Sequence, residues 1–223
     1  MQIPLNKDPR EEKQRIAREI RTRLGERKIL AVNLVSSPGS GKTTLLEKAL
    51  PLLSQKVRLH VIEADTATRN DADRLEAIGA PVEMIANAIT GCHISPAAAK
   101  TAFDAIDLDR VDLVVIENVG NLVCPAGVDL GEDHKIVMVS VAEGEDKPLK
   151  YPNIFMNASL ALINKIDAAS ALGADTDLLE RNIRATNPRI DIIRLSARTG
   201  AHVDEFVEWI LRKLEEKRSR IEK

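Results

Sequence analysis

The residues with the clearest chemical pattern are Ser36-Ser37-Pro38-Gly39-Ser40-Gly41-Lys42-Thr43-Thr44. They follow the apolar run at 29–35 and precede Leu45-Leu46-Glu47-Lys48-Ala49-Leu50. That order predicts a strand, a glycine-rich turn and a helix. Such a turn aims successive backbone N–H groups at an anion, and the positive end of the following helix adds to them. Gly39, Ser40, Gly41 and Thr44 would cradle phosphates. Lys42 would reach the β and γ phosphates, and the Thr43 hydroxyl would hold Mg²⁺. The strict pattern has Gly six residues before the lysine, where this chain has Ser36. The plain alternative is a connecting loop, which Gly-Lys-Thr at a strand-to-helix junction disfavours.

A second set of residues speaks to the base. Guanine presents two N–H donors on one edge, at N1 and the 2-amino group, that adenine lacks. Asp167, in Asn164-Lys165-Ile166-Asp167 after an apolar run, can accept both. Asn164 can bond the loop or the base carbonyl, and the Lys165 stem can lie over the ring. A carboxylate left unpaired by adenine would reject it strongly. Ser196-Ala197-Arg198-Thr199-Gly200 would close over the base with backbone N–H groups, Ser196 and Ala197 foremost. The tetrapeptide alone could be a strand exit; between the phosphate loop and Ser196–Gly200 it points to GTP. Glu117-Asn118-Val119-Gly120 follows the most apolar strand. Glu117 stands where an acid holds Mg²⁺, usually Asp, and the Gly120 N–H would sense the γ-phosphate. Asp65 would orient the attacking water or complete the Mg²⁺ shell; its alternative is an ordinary helix cap.

The third constellation is Cys92, His93 and Cys124. Thiolate, imidazole and thiolate suit Zn²⁺ or Ni²⁺. Cys92-His93 precedes a helix start, where a thiolate is favoured. Spacing alone leaves two buried cysteines and a core histidine equally open.

These groups need a scaffold. Apolar runs at 29–35, 57–63, 82–86, 111–116, 136–141, 160–163 and 190–195 alternate with helical patterns. That alternation predicts an α/β fold of the P-loop NTPase type: a mostly parallel central sheet of about seven strands with helices on both faces. Pro51 should kink or end the helix after the phosphate loop. Asp8-Pro9 opens an N-terminal helix carrying Ile16, Ile20 and Leu24, which Gly25 can close. Residues 1–28 are thus expected to be an N-terminal helical extension, and 29–223 the nucleotide domain. Residues 143–157 lack periodicity and read as a functional loop or a short irregular helix. Hydrophobic residues are 44% of the 223 and charged residues 30%, enough for a core and a polar surface. Aromatics are 2% and the net charge is -2, so no nucleic-acid partner is expected. No apolar run approaches a membrane span, and Met1–Lys7 lacks the core of a signal peptide, so the cytoplasm is the expected compartment.

Taken together, the motifs resemble the HypB family of nickel-inserting GTPases, within the wider group that includes the urease accessory UreG proteins. The matching pieces are Ser36–Leu46, Asp65–Arg74, Gly91-Cys92-His93, Glu117–Pro125, Asp146–Pro152 and Asn164–Asp167. The resemblance implies slow hydrolysis of GTP to GDP and phosphate, with Lys42, Asp65 and Glu117 in the catalytic centre and Thr43, Asp65 and Glu117 around Mg²⁺. It implies a GTP-dependent homodimer with Cys92, His93 and Cys124 holding Zn²⁺ or Ni²⁺ at the interface. Lys147 or Lys150 would approach the partner's nucleotide. It also implies a HypA-type nickel chaperone and a hydrogenase large-subunit precursor as partners. The Cys-rich or His-rich N-terminal nickel motif of some relatives is missing, since no Cys or His precedes His60. Alternatives are a urease-type accessory GTPase, a metal carrier or store with a minor nucleotide role, and a kinase using ATP.

Overall fold

The computed structural model describes residues 8–64, 69–85 and 92–220. Seven strands form one sheet: β1 (Leu30–Ser36), β2 (Leu59–Glu63), β3 (Val82–Met84), β4 (Leu113–Gly120), β5 (His134–Ser140), β6 (Leu160–Asn164) and β7 (Asp191–Arg194). Their order is β3-β2-β4-β1-β5-β6-β7, and every pairing is parallel. Parallel strands need crossovers, and helices supply them.

Side chains alternate across each strand, so both faces are apolar. On one face Val32, Leu34, Val115, Met138 and Leu162 meet α2 (Lys42–Ser54), α3 (Asn70–Ala77) and α9 (Val203–Arg220). The opposite face carries two separate clusters. Ala31, Ile62, Val114 and Ile116 pack under α1 (Pro9–Glu26) and α4 (Pro96–Ala105). Val35, Val137, Val139 and Ile163 pack under α6 (Pro152–Met156) and α8 (Thr176–Thr186). The C-terminal ends of β1, β4 and β5 share one rim, and sheets of this kind bind ligands there. No helix among the described residues is long and apolar enough to cross a membrane.

α1 docks its Ile16-Ile20-Leu24 stripe into the core. Glu19 pairs with Lys100, and Arg23 with Asp104, both on α4.

Two local expectations need correction, and a third becomes more specific. Gly25 does not end α1. The helix runs to Glu26, and Lys28 takes the left-handed position at φ 56°. Ile29 N donates to Leu24 O and Lys28 N to Gly25 O, the paired bonds of a Schellman cap. The first strand starts directly after it and fixes that geometry. Pro51 does not end α2, which continues to Ser54. Leu50 and Leu53 are buried on either side of it and hold the last turn in the core. Residues 143–157 hold two short helices, α5 (Lys147–Lys150) and α6, each with a proline in its first turn. Both are too short to show a period. A further short helix, α7 (Ala169–Leu172), follows the Asn164–Asp167 segment.

Candidate functional site

The loop between β1 and α2 uses glycine where the backbone demands it. Gly39 and Gly41 have φ of 72° and 104°. A Cβ on Gly41 would sit 2.6 Å from Asn164 Nδ2. A Cβ on Gly120 would sit 2.9 Å from the Pro38 Cα. The phosphate loop is therefore clasped between the β4 backbone at Gly120 and the Asn164 side chain on β6.

Ser36, in place of the usual glycine, is fully buried at the end of β1. Its hydroxyl accepts from Lys42 Nζ at 3.2 Å. The substitution thus adds a partner for the lysine.

Two recesses flank Gly39. One, of about 310 Å³, is lined by Pro38, Lys42, Glu63, Asp71, Glu117 and Gly120, among others. Thr43 Oγ1 donates to Glu117 Oε1 at 2.7 Å. Glu117 Oε2 is buried with no hydrogen-bond partner. Burial pushes the Glu117 pKa up to about 7 from 4.5, against the pull of the Lys42 charge and the Thr43 bond. A buried carboxylate oxygen without a partner, beside a threonine hydroxyl, is the donor set that a Mg²⁺ ion takes. Asp65 and residues 66–68 lie outside the described residues. Glu63 and Asp71 were not anticipated from sequence; Glu63 pairs in register with Glu117.

The second recess, of about 570 Å³, is lined by Gly41, Thr44, Asn164, Lys165, Asp167, Ala197 and Arg198, among others. Asn164 Nδ2 donates to Ser40 O at 2.7 Å and its Oδ1 accepts from Ala197 N at 2.9 Å. One amide so ties the phosphate loop to the segment after β7. Lys165, in the left-handed region at φ 64°, donates to Gly39 O. Asp167 accepts from the Ser196 hydroxyl at 2.5 Å and from the Arg198 guanidinium at 2.7 Å. These bonds, Ser196 first, hold its carboxyl below the usual range and keep it an acceptor. The N–H groups expected to close over a base are used internally: Ala197 N goes to Asn164 and Ser196 N to Ala201 O.

Glu143 is a further residue that sequence reading missed. Its Oε1 accepts from Ser40 Oγ at 2.7 Å and from Ser140 N at 2.8 Å. It braces the phosphate loop from β5.

The ligand atoms of Cys92, His93 and Cys124 lie within 4.8 Å of one another. Cys92 Sγ and His93 Nδ1 are 3.3 Å apart. Neither cysteine is a core residue; both are half-buried. The hydrogen bond with Cys124, then burial, raises the Cys92 pKa. The thiolate expected from the nearby helix start is therefore not favoured at Cys92, and the N-terminus of α4 is capped by Ser95 instead. Burial and the charge of Lys13 lower the His93 pKa, which keeps the imidazole neutral and its nitrogen available to a metal. Asn121 joins the two limbs of the cluster. It donates to Cys92 O and accepts from Val123 N and Cys124 N.

The CobW/HypB/UreG nucleotide-binding domain profile matches residues 30–194. The hydrogenase maturation factor HypB of Escherichia coli (strain K12) is 47% identical over 196 residues, covering 88% of this chain and 67% of that protein. The crystal structure of the hydrogenase maturation factor HypB from Archaeoglobus fulgidus superposes with a TM-score of 0.85 at 35% identity, covering 92% of this chain and 99% of that one. The crystal structure of HypB from Helicobacter pylori in complex with nickel gives 0.85 at 34% identity, covering 92% and 96%.

Proposed function

The chain belongs to the CobW/HypB/UreG family of nucleotide-binding proteins, and on that premise we propose that it is a GTP-hydrolysing metallochaperone that gates nickel delivery to a hydrogenase precursor. One observation carries the reading. The segment 117–124 begins at Glu117, bonded to Thr43 of the phosphate loop, and ends at Cys124, within 4.8 Å of the other metal-type ligands.

In this reading the two recesses hold the phosphates and the guanine base of GTP. Lys42 and the loop N–H groups bind the phosphates, with Gly39, Ser40, Gly41, Thr43 and Thr44 shaping the cradle. Asp167 accepts the guanine N–H groups, exchanging its Arg198 bond for them. Thr43 and Glu117 would hold Mg²⁺, joined by Asp65. That ion supplies charge neutralisation at the β and γ oxygens. Asp65 orients the water, and the Gly120 N–H senses the γ-phosphate.

Ni²⁺ is the cargo of Cys92, His93 and Cys124, and Zn²⁺ fits the same donors. Binding as thiolates releases the thiol protons of the cysteines. Three ligands leave a position open to a second chain, so the GTP state would favour a homodimer. A HypA-type chaperone and the hydrogenase large-subunit precursor are the exchange partners, in the cytoplasm.

The test is nucleotide hydrolysis with competition. Release of phosphate from GTP, inhibited by GDP and not by ATP, is expected. ATP hydrolysis at equal or greater rate would overturn the assignment.

A further inference from the structure

A polar row crosses the sheet face that carries α1, α4, α6 and α8. Asn118 Nδ2 on β4 donates to Asn33 Oδ1 on β1 at 3.1 Å. Asn33 Nδ2 donates to Glu132 Oε1 at 3.1 Å. Glu132 Oε1 lies 3.7 Å from Lys135 Nζ on β5. Lys135 Nζ in turn donates to Pro125 O at 3.0 Å and Val128 O at 2.8 Å. All four side chains are buried, at 1% to 8% exposure. The row separates the two apolar clusters of that face.

Its ends are informative. Asn118 adjoins Glu117, and its Oδ1 accepts from Val119 N. Lys135 grips the turn at Cys124–Gly127 from within, at Pro125, and just after it, at Val128. Burying a lysine and a glutamate contributes little net stability, because desolvation offsets the attraction. An apolar row would hold this sheet face at least as well. The polar row instead runs from the nucleotide strand to the metal turn through directed hydrogen bonds at Asn118–Asn33, Asn33–Glu132 and Lys135–Pro125/Val128, joined by the Glu132–Lys135 ion pair.

We propose that Asn33, Glu132 and Lys135 are positioning residues for the metal site, and that the row couples movement of Glu117–Gly120 to the Cys124 turn. This rests on the reading of 117–124 given above, and adds a second connection beside the chain itself. Movement at Asn118 shifts Asn33 and Glu132, and Lys135 carries the shift to the Pro125 and Val128 carbonyls. Both connections act on the segment 117–124, through which the two sites would be coupled.

The test is Ni²⁺ affinity of the full chain with GDP and with a non-hydrolysable GTP analogue, in wild type, Asn33→Ala, Asn118→Ala and Lys135→Met. Thermal unfolding identifies which variants fold. In wild type the two nucleotide states should differ in Ni²⁺ affinity by roughly 5-fold or more. In Asn33→Ala and Asn118→Ala the difference should fall to about twofold or less, and Asn33→Ala, away from the phosphate recess, should keep nucleotide affinity. Lys135→Met should weaken Ni²⁺ binding in both states, and its effect should not add to that of Asn33→Ala. A wild-type difference that persists in the folded alanine variants overturns the row and leaves the wider reading standing. No difference in wild type overturns both.

Discussion

The Thr43 hydroxyl donates to Glu117 Oε1 at 2.7 Å, and this contact joins the phosphate loop to the strand that leads to Cys124. Burial raises the pKa of Glu117 in spite of that bond. The folded pKa of about 7 lies above the unfolded 4.5, so the folded chain holds a proton that the unfolded chain has released. Stability therefore falls as pH rises between those values, by on the order of 3 kcal/mol for this group. Glu117→Gln should remove that slope. Unfolding midpoints of the two proteins from pH 5 to 8 should converge at the acid end and separate at the basic end, with wild type lower. Parallel curves would show that Glu117 is ionised throughout.

Gly41 and Gly120 are required by contact, not by local flexibility. Gly41→Ala forces a Cβ against Asn164 at a left-handed φ, and Gly120→Ala forces one against the Pro38 backbone. Each should weaken GTP binding by more than about tenfold, the consequence of displacing the loop from a fixed geometry. Gly25→Ala is the control. It has open space within 4 Å and lies in α1, so it should leave binding unchanged and stabilise by about 0.5–1 kcal/mol. Equilibrium nucleotide binding and thermal unfolding check both.

Asp167 is oriented before any base arrives, by Ser196 and Arg198. Asp167→Asn replaces an acceptor with a group that is half donor. GTP affinity should fall by roughly 10⁴-fold, the scale set by mispaired buried polar groups. Affinity for a xanthine nucleotide, which offers a carbonyl in place of the amino group, should rise. Competition binding with both nucleotides reads this directly.

Cys124→Ala should abolish tight Ni²⁺ or Zn²⁺ binding and spare GTP binding. Asn121→Ala should weaken metal binding by about 10–100-fold, as loss of a group that orients ligands does. Metal titration of the three proteins distinguishes the cases. Unchanged affinity in Cys124→Ala would make the cysteines ordinary packing residues.

The parts of the site with short sequence spacing were legible before the structure. Gly39–Thr43, Asn164–Asp167 and the alternation of apolar runs each declare themselves within a few residues. The partners that hold them were not. Glu143 reaches Ser40, Asn121 bridges Cys92 and Cys124, and Asn33 meets Glu132, all from distant positions with no local pattern. A single Asn in an apolar strand reads only as a weak strand residue. Lys28 was missed because its left-handed backbone is imposed by the helix-to-strand junction, whereas Gly25 carried the local preference. Pro51 does not end its helix, because core packing of Leu50 and Leu53 outweighs one missing hydrogen bond.

The central claim is that nucleotide state sets the metal site and the assembly together. It is tested most directly by measuring Ni²⁺ affinity and solution mass of the wild-type chain with GDP and with a non-hydrolysable GTP analogue. A dimer mass is expected with the analogue, together with a Ni²⁺ affinity that differs between the two states by roughly 5-fold or more. Equal affinity and equal mass in both states would contradict it.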